Sequence, residues 1–210
     1  MKRNIIINRI KDRISTMDKG TVLTISDFLD IANYDATKNA LSKLEKEGIL
    51  KREVRGIYKI PNYNKMLKIE VPANPDEIAM ALAKNNKWTI IPKGDAALNK
   101  LGLSTQVPAV YEYVSDGPTK EYEYGKFKIK MHKRSNKYIS GVTSKSGMVI
   151  EAIKTIGQKN MNDDYRKLIA DRLSNKDMEI LLEDGRATAR WINEEIVKIL
   201  KEGGLNVRSS

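Results

Sequence analysis

The chain opens with apolar residues at helical spacing, and they form one stripe: Ile6, Ile7, Ile10, Ile14 and Met17. This spacing predicts an amphipathic helix, which Gly20 ends. The segment "TISDFLDIA" then predicts a short helix with Ser26 as its N-cap. A third helix, "DATKNALSKLEKEG", is predicted to begin with Asp35 as N-cap and to stop at Gly48.

Two short β-rich runs follow, residues 49–54 and 57–60, and Arg55-Gly56 between them predicts a two-residue turn. The order of elements is therefore helix, short helix, helix and hairpin. This order resembles a winged helix-turn-helix, in which the third helix reads DNA and the hairpin is the wing. We therefore expect a winged helix-turn-helix DNA-binding domain over residues 1–61.

The third helix has two faces on a wheel of about 100° per residue. Four apolar residues are expected to face the core, namely Ala36, Ala40, Leu41 and Leu44. Thr37 lies within the same arc and is expected to face the core with them. The candidate DNA-binding residues point away from that arc: Lys38, Asn39, Ser42 and Lys46, with Lys43 on the flank. Asn can read adenine through two hydrogen bonds, whereas Lys and Ser can reach bases or phosphates. On the wing, the expected phosphate contacts are Lys51, Arg52 and Arg55, which would set position and not sequence choice.

Prolines and asparagines mark a domain boundary in "IPNYNKMLKIEVPANPDE", and a linker is predicted between Pro61 and Pro75. Asn74 as N-cap and Pro75 at the first helical position then predict a new helix. The pattern continues as strand, helix and antiparallel strands, and it becomes helical from about residue 147. The predicted fold class is α+β, with a second α+β domain over residues 75–204 that ends in a helical portion.

The runs "KEYEY" and "FKIKMHK" predict a hairpin around the loop Gly125-Lys126. The expected cross-strand pairs are Tyr124 with Phe127, Glu123 with Lys128, Tyr122 with Ile129, and Glu121 with Lys130. The Glu–Lys pairs would neutralise part of the positive charge of the second run, "FKIKMHK". A second candidate basic cluster lies beyond the pairing: Lys133, Arg134 and Lys137. His132, which precedes them, is given no role.

The net charge of +11 is unevenly distributed. Residues 1–60 carry 13 Lys or Arg against 8 Asp or Glu, and residues 61–150 carry 14 against 8. The last sixty residues carry 11 of each sign. A polyanionic partner such as nucleic acid would therefore meet the first two-thirds of the chain. The neutral C-terminal third is the expected surface for packing, dimerisation or a protein partner.

The residues that most catalytic sites need are scarce. One histidine and no cysteine remove the triads and zinc sites built on those residues. There is no Walker-type glycine-rich loop, and the acid pairs Asp163-Asp164 and Glu183-Asp184 fit helix ends. We therefore expect no enzyme activity, no metal and no cofactor. The lack of cysteine fits a cytoplasmic protein, and no apolar window is long enough for a signal peptide or a membrane span.

Two parts of the chain resemble the AbiEi-type antitoxins, the transcription-factor-like partners of abortive-infection (type IV) toxin–antitoxin operons. The first is "GILKREVRGIYKIP", and the second is "IIPKGDAALNKLGLSTQVPAVYEYVSDGP" followed by "KFKIKMHKRS". They lie within roughly residues 5–140, and the run from Gly94 to Pro108 is the most specific. The resemblance implies a phage-defence antitoxin that binds repeats in its own promoter and represses its operon. It also implies protection from a nucleotidyltransferase-like toxin without a stable complex.

A second interpretation stays open, because winged helices also serve as protein-interaction modules. The chain would then neutralise a partner toxin by direct contact. A stable complex with the neighbouring gene product, without operator binding, would favour this interpretation. Operator binding without a complex would favour the DNA-binding antitoxin.

Overall fold

The computed structural model describes residues 2–135 and 144–206 and confirms a mixed α+β fold. The chain divides into two compact units, Met1–Trp88 and Thr89–Ser210. The division therefore lies after the helix that begins at Pro75, whereas the sequence placed that helix in the second domain. No helix in the described ranges has the length and apolar character needed to cross a membrane.

The first unit combines short strands with three α-helices and a 3-10 helix. In chain order these are α1 (Lys2–Ser15), β1 (Val22–Thr24), the 3-10 helix (Ile25–Phe28), α2 (Tyr34–Lys46), β2 (Lys51–Val54), β3 (Ile57–Lys59), β4 (Tyr63–Asn64), β5 (Ile69–Glu70) and α3 (Pro75–Asn86). The predicted linker between Pro61 and Pro75 thus contains a hairpin, β4–β5. That hairpin escapes sequence analysis because each strand has only two residues.

An antiparallel sheet with strand order β1-β3-β2 forms the centre of the first unit. Leu23 and Tyr58 are buried in one core with residues of α1, the 3-10 helix and α2, among them Ile10, Phe28 and Leu41. The predicted stripe of the first helix is confirmed at Ile7, Ile10 and Ile14, which are buried. Its other two residues, Ile6 and Met17, are only partly buried. Helix α3 packs against β1 and β3, which explains why it belongs to this unit.

Two of the predicted helix caps are wrong by two residues. Asn33, not Asp35, caps α2, because its side chain accepts a hydrogen bond from the Ala36 N–H at 3.0 Å. Thr24, not Ser26, precedes the 3-10 helix, and its N–H donates to Asp27 Oδ2 at 2.7 Å. In both cases a competing polar residue two positions earlier has the extended backbone that a cap requires.

The second unit contains a four-stranded sheet and helices. Its elements are β6 (Ile90–Lys93), α4 (Gly94–Lys100), β7 (Val110–Ser115), β8 (Lys120–Tyr124), β9 (Phe127–Lys133), α5 (Ser144–Ile156), α6 (Asp163–Ala170), α7 (Asn175–Gly185) and α8 (Arg190–Glu202). All four predicted pairs of the β8–β9 hairpin are confirmed. The predicted antiparallel pairing is confirmed for β6 with β7 and for β8 with β9, but β9 also lies beside β7 and runs parallel to it.

The helices of the second unit bury apolar residues that recur at helical spacing. Ala152 and Ile153 of α5 belong to one core cluster with Ile196 and Ile199 of α8, and Trp191 packs against that cluster while partly exposed. The C-terminal third is therefore a packed helical core, as its 3.6-residue periodicity predicted.

Asp177, at the start of α7, is expected to make stability depend on acid pH. The Lys145 ammonium at 2.8 Å, with the Ser174 hydroxyl and N–H, holds the pKa of Asp177 at about 2, below its ordinary 3.8. A lowered folded-state pKa contributes stability above pH ~4 that is lost as the pH falls towards ~2. We expect Asp177→Asn to cost about 1–2 kcal/mol at neutral pH and almost nothing near pH 2, after allowance for solvent screening.

The measurement is the free energy of unfolding by urea between pH 2 and pH 7. Glu179→Gln, at an exposed position of the same helix, is the control and should leave the curve unchanged. Parallel curves for the wild-type protein and Asp177→Asn over this range would contradict the prediction.

Candidate nucleic-acid interface

Helix α2 presents a polar, basic face to solvent and an apolar face to the core. We call the first the outer face of α2, and it consists of the five residues predicted from the wheel: Lys38, Asn39, Ser42, Lys43 and Lys46. Ser42 is half-buried and the other four are exposed. On the opposite face Ala40, Leu41 and Leu44 are buried as predicted, but Ala36 is only half-buried. The buried Thr37 hydroxyl donates to the Ala32 carbonyl at 3.2 Å, which confirms that it faces inwards.

The outer face of α2 keeps most of its positive charge available. Lys43 lies 3.9 Å from Glu47 one turn later, a contact between two exposed groups that stabilises little. Lys38 and Lys46 form no ion pair within the described part of the chain. A rigid buried face and free ammonium groups together suit contact with a phosphate backbone.

A cavity of about 350 Å³ opens beside Asn39, between α1 and α2. Its remaining lining is apolar: Ile6, Ile7, Ala36 and Ala40. An amide next to an apolar surface can recognise the edge of an A·T base pair, because Asn forms two hydrogen bonds with adenine and apolar groups contact the thymine methyl. The half-burial of Ala36, which the wheel placed in the core, is thus part of the site geometry.

Tyr34 is a candidate contact that the sequence analysis missed. It is the first residue of α2 and its side chain is exposed, so its hydroxyl can donate to a phosphate oxygen. The sequence offers Asn33, directly before Tyr34, as an alternative N-cap. Because the predicted helix begins after Asp35, Tyr34 lies outside it.

Strands β2 and β3 with the loop Arg55-Gly56 form the hairpin that the sequence predicts as a wing. Val54 pairs with Ile57, so the predicted two-residue loop is confirmed. Gly56 has φ of +81°, a left-handed conformation that a side chain would strain. Arg52 and Arg55 are exposed on this hairpin, where their guanidinium groups can reach phosphates.

Lys51 is less available than the two arginines, because it belongs to an ion-pair network. Its Nζ atom lies 2.8 Å from Glu70 Oε2, and the other oxygen of Glu70 lies 2.9 Å from Lys59 Nζ. Lys59 also contacts Glu53 Oε1 at 3.2 Å. Hydrogen bonds from Lys51 and Lys59 lower the pKa of Glu70, and the bond to Glu70 raises the pKa of Lys51. A phosphate at Lys51 would therefore have to compete with Glu70.

The second basic cluster belongs to the second unit and is described only in part. Lys133 ends β9, and Arg134 follows it with its N–H bonded to the Ser115 carbonyl at 2.8 Å. Both side chains are exposed, and Lys137 lies outside the described residues. His132 Nε2 lies 2.8 Å from Glu112 Oε1 on the neighbouring strand, a contact that accounts for its position.

One residue of each acid pair, Asp163 and Glu183, forms an ion pair with an arginine three residues later. Asp163 lies 2.5 Å from Arg166, and Glu183 lies 2.9 Å from Arg186. Within residues 2–135 and 144–206, no group of three or more His, Asp or Glu side chains could hold a metal ion.

A second cavity in the first unit, about 820 Å³ and open, does not involve the outer face of α2. It is lined mainly by β1, α3 and the extended residues 71–74. Lys84 at its rim forms an ion pair with Asp27, so its charge is locally neutralised. The candidate nucleic-acid surface is therefore the outer face of α2 with Tyr34, Arg52 and Arg55.

Comparisons with known proteins give a family but no activity. A family model described as a family of unknown function (DUF6088) matches residues 9–181. The matched span begins in α1 and ends in α7, so it includes the outer face of α2, the β2–β3 hairpin and the whole sheet of the second unit. A search of the curated proteins found no match.

Proposed function

The chain belongs to this family of unknown function, and we propose that its first unit is a winged helix-turn-helix that binds double-stranded DNA. The single observation that carries the proposal is the exposed basic outer face of α2, which lies opposite a buried apolar face and near a hairpin with two exposed arginines. A partner with regularly spaced negative charges suits this surface.

The order and pairing of the elements support the winged-helix assignment. A helix, a strand, a short helix and α2 are followed by the hairpin β2–β3, and β1 completes the sheet in the order β1-β3-β2. In such an arrangement α2 enters the major groove and the wing follows the neighbouring backbone. Asn39 is then placed to read a base, and the basic residues around it are placed to hold phosphates.

The biological role that we propose follows from the resemblance to the AbiEi-type antitoxins. The protein would bind repeated sites in its own promoter, repress its operon in the cytoplasm and protect the cell from a nucleotidyltransferase-like toxin. It would do so by binding and without catalysis. Co-purification with the product of the adjacent gene separates this role from direct neutralisation, which requires a stable complex.

Binding is expected to depend steeply on salt and to lose part of that dependence when the wing is changed. Phosphate contacts release counterions, and each contributes about −0.9 to the slope of log K against log salt. We expect Arg52→Ala, Arg55→Ala to reduce the slope by about 2 and to weaken binding equally to operator and scrambled duplexes.

Fluorescence anisotropy with a duplex from the upstream region of the gene, over a range of salt concentrations, measures both effects. Arg186→Ala, Arg190→Ala, two exposed arginines of the neutral C-terminal third, is the matched control. A flat salt response of the wild-type protein would overturn the proposed function, and an unchanged slope in the wing variant would remove the wing from the interface.

A further inference from the structure

The hairpin β4–β5 exposes large apolar side chains at its tip, residues 65–68. Met66 is 90% exposed and Leu67 is 62% exposed, and Tyr63 and Ile69 on the adjoining strands are also exposed. Single exposed apolar residues are ordinary, but a group of them at the tip of one hairpin indicates an interaction site. We propose that Met66 and Leu67 form an apolar wedge that enters the minor groove of bound DNA and separates two stacked base pairs.

The tip is held in shape before any partner binds. The Asn64 side chain accepts hydrogen bonds from the N–H groups of Met66 and Leu67, both at 3.0 Å. Lys68 closes the turn in a left-handed conformation, with φ of +53°. The hydrogen bonds to Asn64 hold the backbone of the tip in one conformation. Binding through Met66 and Leu67 would therefore cost little further conformational entropy.

Ion pairs fix the base of the hairpin to the wing. Glu70 on β5 contacts Lys51 on β2 and Lys59 on β3, and the Val71 carbonyl accepts a further bond from Lys59 at 2.7 Å. β2 is the edge strand of its sheet and carries the exposed Arg52. From Glu70 to Met66 the chain can span roughly 13 Å, four residues at about 3.3 Å each. The tip therefore lies at most roughly 13 Å along the chain from Glu70, whose carboxylate contacts the strand that we propose to hold phosphates, and the wedge rests on that proposed function.

Charge identifies the partner. Lys65 and Lys68 flank the two apolar residues, and no acid lies between Tyr63 and Ile69. A second copy of the chain on this tip would bring four lysines together, which opposes self-association. A duplex offers phosphates to the lysines and a base step to the apolar pair, and Met and Leu are among the side chains that act as wedges.

The wedge is tested with the full chain and a promoter duplex that carries 2-aminopurine at successive positions and a fluorophore at each end. We expect the wild-type protein to raise the 2-aminopurine fluorescence at one step and to bend the duplex by about 20–90°. Met66→Ala, Leu67→Ala should still bind, with about tenfold lower affinity, but should lose both the bend and the fluorescence increase. Val107→Ala, an exposed apolar residue of the second unit, should behave as wild type.

Each other outcome has a distinct meaning. Salt-dependent binding by the wild-type protein without bending or unstacking overturns the wedge and leaves the proposed function intact. Absence of any DNA binding overturns the proposed function, and the wedge with it. Loss of binding to phosphatidylserine vesicles by the double variant, with DNA bending unchanged, would assign the tip to a membrane surface. Loss of self-association, measured by sedimentation, with DNA bending unchanged would assign it to a second copy of the chain.

Discussion

Replacement of Lys59 by methionine is expected to lower the free energy of unfolding of the first unit by about 3 kcal/mol. The Lys59 side chain is fully buried, and its ammonium contacts Glu53, Glu70 and the Val71 carbonyl. Methionine keeps most of the volume, so the loss reports the charge and not a cavity. Glu53, with 7% of its side chain exposed, would be left without its counter-charge in the interior.

The effect should shrink in acid. The pKa of Glu70 is lowered in the folded protein, so its contribution to stability is present above the ordinary value of 4.5 and is lost as the pH falls through the folded value. Protonation of Glu70 also removes one of the unpaired charges of the variant. The wild-type protein and Lys59→Met are therefore expected to differ most at neutral pH and least below the lowered folded-state pKa of Glu70.

The loss in free energy of unfolding is measured by chemical denaturation of the full chain, with a signal that reports on the first unit. Lys68→Met removes an exposed lysine from the same hairpin region and should cost less than about 0.5 kcal/mol. Adding Glu53→Gln and Glu70→Gln to Lys59→Met should recover part of the stability. Wild-type stability for Lys59→Met alone at neutral pH would show that the buried charges contribute no net free energy.

The double change Lys38→Ala, Asn39→Ala is expected to weaken binding to the promoter duplex by about 10- to 100-fold and to relax sequence preference. Asn39 stands beside an apolar cavity on the outer face of α2, where it can bond the adenine of an A·T pair. Lys38 is exposed and adds a sequence-independent phosphate contact. The two losses differ in kind, so they can be separated by comparing DNA sequences.

Binding is measured for the promoter duplex, for single base-pair variants of it and for a scrambled duplex. The matched control is Asn175→Ala, Lys176→Ala, an exposed Asn-Lys pair at the start of α7, which should leave all affinities unchanged. A uniform loss with preference retained would mean that Lys38 holds a phosphate and that Asn39 does not read a base. Unchanged affinity and preference would remove the outer face of α2 from the interface.

Local patterns predicted the elements whose residues are close in sequence. The β8–β9 register followed from a two-residue loop and alternating side chains, because a loop of fixed length leaves one pairing in which apolar residues share a face. The outer face of α2 followed from the helical period, since Ala40, Leu41 and Leu44 fix which side meets the core. The caps were less predictable, because two polar residues competed at each helix start.

By itself, the sequence determined the α+β character, the helical stripes, the Gly125-Lys126 hairpin and the side of α2 that faces solvent. Only the tertiary structure decided that α3 belongs to the first unit, that β9 lies parallel to β7, and that Lys59 is buried among glutamates. It also joined the base of the β4–β5 hairpin to β2 and β3 through Glu70. These features depend on contacts between segments distant along the chain, where burial and charge pairing outweigh local preference and leave no periodic signal in the sequence.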